Sequence, residues 1–209
     1  MTERSQEADA ALSNQLETLI EDLPEDKLSV KDLIERCGQE GLLLLSALLT
    51  LVFLIPVSLP GVSTVFGAVI LLVGISRLRN GPLWLPKRVE KKTVTVEKLR
   101  PALERGLKWV RRLEKVSRSR RLPALADSRI AAMINNLAFI IAALMLMAPF
   151  GFVPLSNTLP GIALLFYAIG LAQRDGIAIL LGHLTNIATV IYFGVLIGGG
   201  GVAIKNFLT

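Results

Sequence analysis

Thirty-four consecutive residues, Leu42–Ile75, carry no formal charge, and the run is interrupted by Pro56, Pro60 and Gly61. That combination leaves few folds. One straight helix of this length would be about 51 Å long and would contain Pro-x-x-x-Pro-Gly, although proline removes a donor and clashes with the preceding turn. Two full membrane crossings do not fit either. The arms Leu42–Ile55 and Val62–Ile75 have 14 residues each, about 21 Å of helix against a hydrocarbon core of about 30 Å. The remaining solution is a helical hairpin whose tip, PVSLPG, turns inside or near the far edge of a bilayer. A short, tilted pair in a thinned bilayer is the alternative. Non-helical backbone at that depth must be surrounded by protein or water.

Two more apolar blocks follow. Ile130–Ala148 is 19 residues, close to a full span; PFGFVPLSNTLPG then leads into a short arm, Ile162–Ala172. Ile177–Ile197 is 21 residues and spans alone, ending at Gly198–Gly201, read as a flexible or closely packed tail. The second block repeats the first. Leu159-Pro160-Gly161 matches Leu59-Pro60-Gly61, each copy has an upstream proline (Pro154 or Pro56), and each short arm ends in glycine before a basic turn. Matching Gly/Pro interruptions in two halves point to a binding site in transporters; the plainer reading is that both tips only turn the chain. Whether the repeats are parallel or inverted stays open.

Charge supports a membrane reading. Hydrophobic residues make up 52% and charged residues 19%, against roughly 25% charge in soluble domains. Residues 1–40 hold 4 Lys/Arg against 11 Asp/Glu, net −7, and residues 77–129 hold 17 against 5, net +12. Lys/Arg-rich loops stay cytoplasmic, so the basic segment is cytoplasmic. The first hairpin returns to the side it left, so the N-terminus is cytoplasmic too, and the two oppositely charged segments are expected to pair. The C-terminus is then outside. Residues 1–40 contain no signal-peptide core, so the apolar segments themselves direct insertion.

The polar segments read as amphipathic helices. Leu12, Leu16, Leu19, Ile20 and Leu23 fall at helical spacing before Pro24. Ser29, with Asp32 three residues on, resembles a capping box opening a second helix, with Leu28, Leu33 and Ile34 on its apolar side and Gly38 and Gly41 closing it. In 94–117, Leu99, Leu103, Leu107, Val110, Leu113 and Val116 share a face, provided Pro101 lies in the first turn. This helix, with Trp84 and Trp109, suits a bilayer surface and anionic headgroups. No nucleic-acid fold surrounds the basic stretch.

Little here carries chemistry. With one cysteine, Cys37, and one histidine, His183, there is neither an intrachain disulfide nor a four-ligand zinc set. No cofactor motif, nucleophile–base pair or carboxylate dyad stands out, so no catalytic residue is assigned and an enzyme is not expected. The candidate polar membrane residues are Arg77, Arg174, Asp175, His183 and Asn186. Arg174 and Asp175 read as a snorkelling arginine with a capping aspartate, or else as an anion or proton site facing the tips. His183 and Asn186 lie three apart on one helix face and bond a neighbouring helix or relay protons. Asn135 and Asn136 read as helix-end residues. The candidate tip residues are Pro56, Pro60, Gly61, Pro154, Pro160 and Gly161.

The order SVKDLIERCGQEGLLLL, FLIPVSLPGVSTVFGAVILLVG, GPLWLPKRV, LRPALERGLKWVRRLEK and LPGIALLFYAIGLAQRDGIAILLG resembles the ExoD family of bacterial exopolysaccharide-synthesis proteins. The resemblance runs from about Leu12 to Ile191; Trp84-Leu85-Pro86 and Arg174-Asp175-Gly176 are its more specific pieces. It implies a bacterial inner-membrane protein associated with exopolysaccharide production and its synthesis machinery, with no catalytic residues to carry over.

The expected architecture is therefore an all-α integral membrane protein. It comprises an acidic cytoplasmic segment (1–40), a first hairpin (41–76), a basic cytoplasmic segment with an interfacial helix (77–129), a second hairpin (130–173) and a C-terminal transmembrane helix (174–209). An accessory role is the leading expectation, and a small transporter or ion-conducting protein is the second. Exposed hairpin tips cost several kcal/mol each in hydrocarbon, so a homodimer that covers them is expected.

Overall fold

The computed structural model describes residues 12–24, 27–51, 53, 62–79, 81, 83, 93–116, 122–148 and 153–208. Pro56, Pro60, Gly61 and Trp84, all singled out above, lie outside them.

Helix α1 (Leu12–Glu21) buries Leu16 and Ile20 at the expected spacing. The chain then forms a short strand, β1 (Lys27–Ser29), before α2 (Val30–Leu51). The capping box is formed: the Asp32 amide donates to Ser29 Oγ at 3.0 Å, and the Ser29 hydroxyl donates to Asp32 Oδ2 at 2.6 Å. Gly38, at φ 61° and ψ −170°, breaks α2 in two. Only glycine adopts that conformation without strain, so the first, polar helix ends there and the apolar arm starts anew beyond the kink.

The strand β1 pairs antiparallel with β2 (Thr93–Thr95), with Leu28 opposite Val94. This short ribbon is a local addition to a helical protein, and Leu28 belongs to it rather than to a helix. Leu28 packs with Leu23 and Val96, so the ribbon ties the acidic segment to the basic one. Helix α4 (Val96–Val116; α3 is given below) lays Leu103 and Leu107 against Leu16, Ile20 and Leu44. That part of its apolar face is covered by α1 and α2 rather than by lipid. Arg111 reaches Glu17 through both carboxylate oxygens, at 2.8 and 2.9 Å. The expected pairing of the two charged segments is thus present. Pro101 is the sixth residue of α4, one turn deeper than expected, and forfeits a ladder hydrogen bond there.

The apolar helices are α3 (Val62–Leu78), α6 (Arg129–Leu146), α7 (Thr158–Gln173) and α8 (Gly176–Leu208), with the four-residue α5 (Pro123–Ala126) ahead of α6. Helix α7 begins at Thr158, so Pro160 and Gly161 form its first turn instead of the hairpin tip. Proline is tolerated there because the first-turn amides have no partner in the helix. Helix α8 continues through Gly198–Gly201, where a flexible or closely packed tail was expected. Arg129–Leu146 and Gly176–Gly199 are long and apolar enough to cross a membrane, whereas Gly41–Leu51, Ser63–Leu78 and Thr158–Gln173 are shorter.

Four helices form the core. Leu43 and Ala47 of α2, Ile70 of α3, Phe139, Ala142, Ala143 and Leu146 of α6, and Ala163, Leu164 and Tyr167 of α7 are buried together. Helix directions alternate. Gly67 lies against Met147 and Gly74 against Phe139 and Ile140, so α3 and α6 are antiparallel. Gly161 lies against Phe53 while Leu44 shares a cluster with Ala172, so α2 and α7 are antiparallel. The pairs α2–α3 and α6–α7 therefore run in the same sense, and α8 runs parallel to α6. The outward faces of α6 and α8 expose Ile130, Ile134, Ile141, Leu184, Ile187 and Ile191. Only 33% and 28% of the two long spans is buried. A core helix of a soluble protein would be mostly covered; apolar faces of this extent mark membrane association.

Candidate functional site

A connected group of polar side chains lies toward the end where α6 and α8 begin. Asn135 anchors them. It follows Ser128, whose side chain caps α6 by accepting from the Ala131 amide at 3.0 Å, and two turns later it faces α5 and α8. Its Nδ2 donates to the Leu125 carbonyl of α5 at 2.8 Å. That leaves Oδ1 to accept from His183 Nε2 at 2.8 Å. The imidazole then carries its hydrogen on Nε2, and Nδ1 accepts the Tyr167 hydroxyl at 2.9 Å. The result is a directional chain, Tyr167 to His183 to Asn135 to the Leu125 carbonyl, joining α7, α8, α6 and α5. Tyr167 and Asn135 are buried and His183 is half-buried.

One turn along α8, Asn186 Nδ2 donates to the Ala138 carbonyl at 3.0 Å. Its Oδ1 is buried and has no hydrogen-bond partner. A buried unpaired acceptor costs about 1–3 kcal/mol. The structure thus brings the predicted pair His183 and Asn186 into one cluster, bonded to neighbouring helices. It adds Tyr167 and Asn135, which sequence reasoning missed or set aside. The available signal was a lone tyrosine inside an apolar arm, because a buried phenol needs a partner. The ring fits because Gly182 opposes it: a Cβ there would stand 2.9 Å from the ring.

Arg77 belongs to a separate group at the same end. Its Nε is 3.4 Å from Asn136 Oδ1 and Nη1 is 3.4 Å from the Gln39 carbonyl. Gln39 Nε2 donates to Ser76 Oγ (3.2 Å) and to the Gly81 carbonyl (2.9 Å), and Ser76 Oγ donates to that carbonyl at 2.7 Å. Asp175 caps α8: its Oδ1 accepts from the amides of Ile177 at 3.0 Å and Ala178 at 3.4 Å. Arg174, at φ 53°, closes α7 and is exposed. Both lie at the opposite end of α7 from Pro154, Pro160 and Gly161. Arg174 and Asp175 therefore do not face those second-hairpin residues, and Asp175 forms the expected cap. At that far end the Tyr192 hydroxyl donates to the Pro154 carbonyl, and Asn157 Oδ1 is buried without a partner. Among the described residues, no group of three His, Cys, Asp or Glu could hold a metal ion.

These elements define a helical, membrane-associated protein with a neutral polar cluster between three apolar helices. A family model described as "Exopolysaccharide synthesis, ExoD" matches residues 12–195, and the chain belongs to the ExoD family. It is 42% identical over 186 residues to Protein ExoD of Rhizobium meliloti, covering 89% of this chain and 77% of that protein. It is 29% identical over 170 residues to an uncharacterized protein of Synechocystis, covering 77% and 76%. No solved structure matches.

Proposed function

We propose that this chain acts in exopolysaccharide synthesis as a multi-pass inner-membrane accessory protein that does not itself catalyse sugar transfer. The observation that carries the pathway is its 42% identity to Protein ExoD over 89% of the chain. A membrane position is supported by the two long apolar helices with uncovered outer faces. A cytoplasmic N-terminus is supported by the +12 segment 77–129 under the positive-inside rule, because the ribbon and the Glu17–Arg111 pair hold the acidic segment beside the basic one. Exposed Arg100, Arg105, Lys108 and Arg112 on α4 suit anionic headgroups. A non-catalytic role is supported by the engagement of the acid–base side chains: Asp175 is spent on a helix cap and His183 on two helix contacts.

The common sense of the pairs α2–α3 and α6–α7 supports a parallel repeat, related by an axis along the bundle. The hairpins pack on each other within one subunit, which leaves α8 as the face for a homodimer. Gly194 and Gly198 stand four residues apart on it with nothing within 4 Å, a spacing that lets helices approach closely.

The pathway role is tested in a Rhizobium meliloti strain lacking Protein ExoD. If that strain loses exopolysaccharide, expression of this chain restores it. Loss that persists despite membrane-localised expression contradicts the reading.

A further inference from the structure

We propose that α5 (Pro123–Ala126) is a movable strap that closes one end of the bundle over His183, with Asn135 as its latch. Helix α5 packs against both α6 and α8, the helices that carry Asn135 and His183. One carboxamide serves both contacts. Asn135 Nδ2 donates to the Leu125 carbonyl at 2.8 Å, and Asn135 Oδ1 accepts from His183 Nε2 at 2.8 Å. The strap and the imidazole are thus one side chain apart, and the group that holds the one also orients the other.

Among the described residues, little else holds the strap. None of the four residues of α5 is buried; Pro123 and Ala124 are exposed, and Leu125 and Ala126 are half-buried. Its backbone is closed by the Leu125 amide donating to the Leu122 carbonyl at 3.0 Å and the Asp127 amide donating to the Pro123 carbonyl at 2.8 Å. A helix of one turn has no stability of its own, so α5 persists through what it touches. Leu122 leads into it at φ 49° and ψ 64° and makes no side-chain cap. That left-handed conformation is unfavourable for a residue with a Cβ, so the entry to the strap works against closure. Helix α6 differs, burying Asn135, Phe139, Ala142 and Leu146. Segments with few buried contacts open at lower free energy than packed helices, so α5 leaves while α6 stays.

Opening has a defined consequence. The Leu125 carbonyl and Asn135 Nδ2 each exchange the other for water. The imidazole, half-buried with the strap in place, becomes accessible from the end where α6 and α8 begin. Its bonds to Tyr167 and to Asn135 Oδ1 need not break. The strap therefore controls access to His183 rather than assembly of the cluster.

The full chain in lipid nanodiscs tests this in two ways. In amide hydrogen exchange, Leu125 and Asp127 should exchange at least about tenfold faster than Phe139 and Ala142 of α6. The protein contains one histidine, so carbethoxylation by diethyl pyrocarbonate, read at residue 183 by mass spectrometry, reports access to the imidazole. Pro123→Gly loosens the start of the strap and should speed that reaction about threefold. Leu122→Asn suits the left-handed conformation and should slow it about threefold. Neither side chain belongs to the hydrogen-bonded chain through His183. The proposal is overturned if the α5 amides exchange as slowly as those inside α6, or if His183 reacts at the wild-type rate in both variants. The exchange measurement on wild-type protein decides even if a variant does not fold.

Discussion

The Tyr167 hydroxyl lies 2.9 Å from Nδ1 of His183, and the two rings meet edge to face with centroids 5.1 Å apart. One residue from each of two antiparallel helices thus supplies both a packing contact and a hydrogen bond. Replacing Tyr167 by Phe keeps the ring and removes only the hydroxyl. We expect a loss of about 1 kcal/mol, the scale of interhelical hydrogen bonds in membranes, read as a lower unfolding midpoint in mild detergent. An unchanged midpoint would mean that the contact contributes only packing.

Gly182 sets how closely α7 and α8 approach. A Cβ there would stand 2.9 to 3.1 Å from three Tyr167 ring atoms. Gly182→Val should reduce the yield of folded protein sharply, because an overpacked interface costs about 1–3 kcal/mol. Equal yields of the variant and wild type in size-exclusion chromatography would place the helices further apart than described.

Gly194 is the control on the same helix, with nothing within 4 Å. Gly194→Leu should fold normally and convert dimer to monomer in native mass spectrometry. A wild type that runs at the 22.7 kDa monomer mass after micelle removal would refute the dimer.

The polar layer of α1 and α4 is held by burial more than by charge. Glu17 and Arg111 are 44% and 53% exposed, and exposed pairs contribute about 0–1 kcal/mol. Leu16 is 8% exposed, and a buried Leu→Ala typically costs about 2–5 kcal/mol. Limited proteolysis should therefore release α1 readily from Leu16→Ala and little faster than wild type from Arg111→Ala. The reverse order would show that the ion pair dominates.

Local signals in the chain were legible. Ser29 with Asp32 marked a helix start, Asp175 marked a cap, and the uncharged runs marked the apolar helices. What was not legible depends on partners distant in sequence. Strand Lys27–Ser29 is three residues long and is stabilised by residues 93–95, so no periodicity announces it. Asn135 looks like a helix-end residue until α8 brings His183 to it across 48 positions. Leu-Pro-Gly reads as a turn, yet a first helical turn accepts proline equally well, and only packing against Thr50 and Phe53 decides between them. Four consecutive glycines read as a flexible or closely packed tail, whereas α8 carries them in helix.

The membrane placement of the bundle is tested most directly by two-sided thiol labelling in right-side-out and inverted vesicles. Cys37 is first replaced by serine, and single cysteines are introduced by Asp127→Cys at the start of α6 and Thr209→Cys after α8. Because the α6–α7 hairpin returns to the side it left and α8 then runs parallel to α6, the two positions should react from opposite faces, with residue 127 on the cytoplasmic one. Labelling of both from the same face, or full labelling of both without a membrane fraction, would contradict a bundle that spans the bilayer in this way.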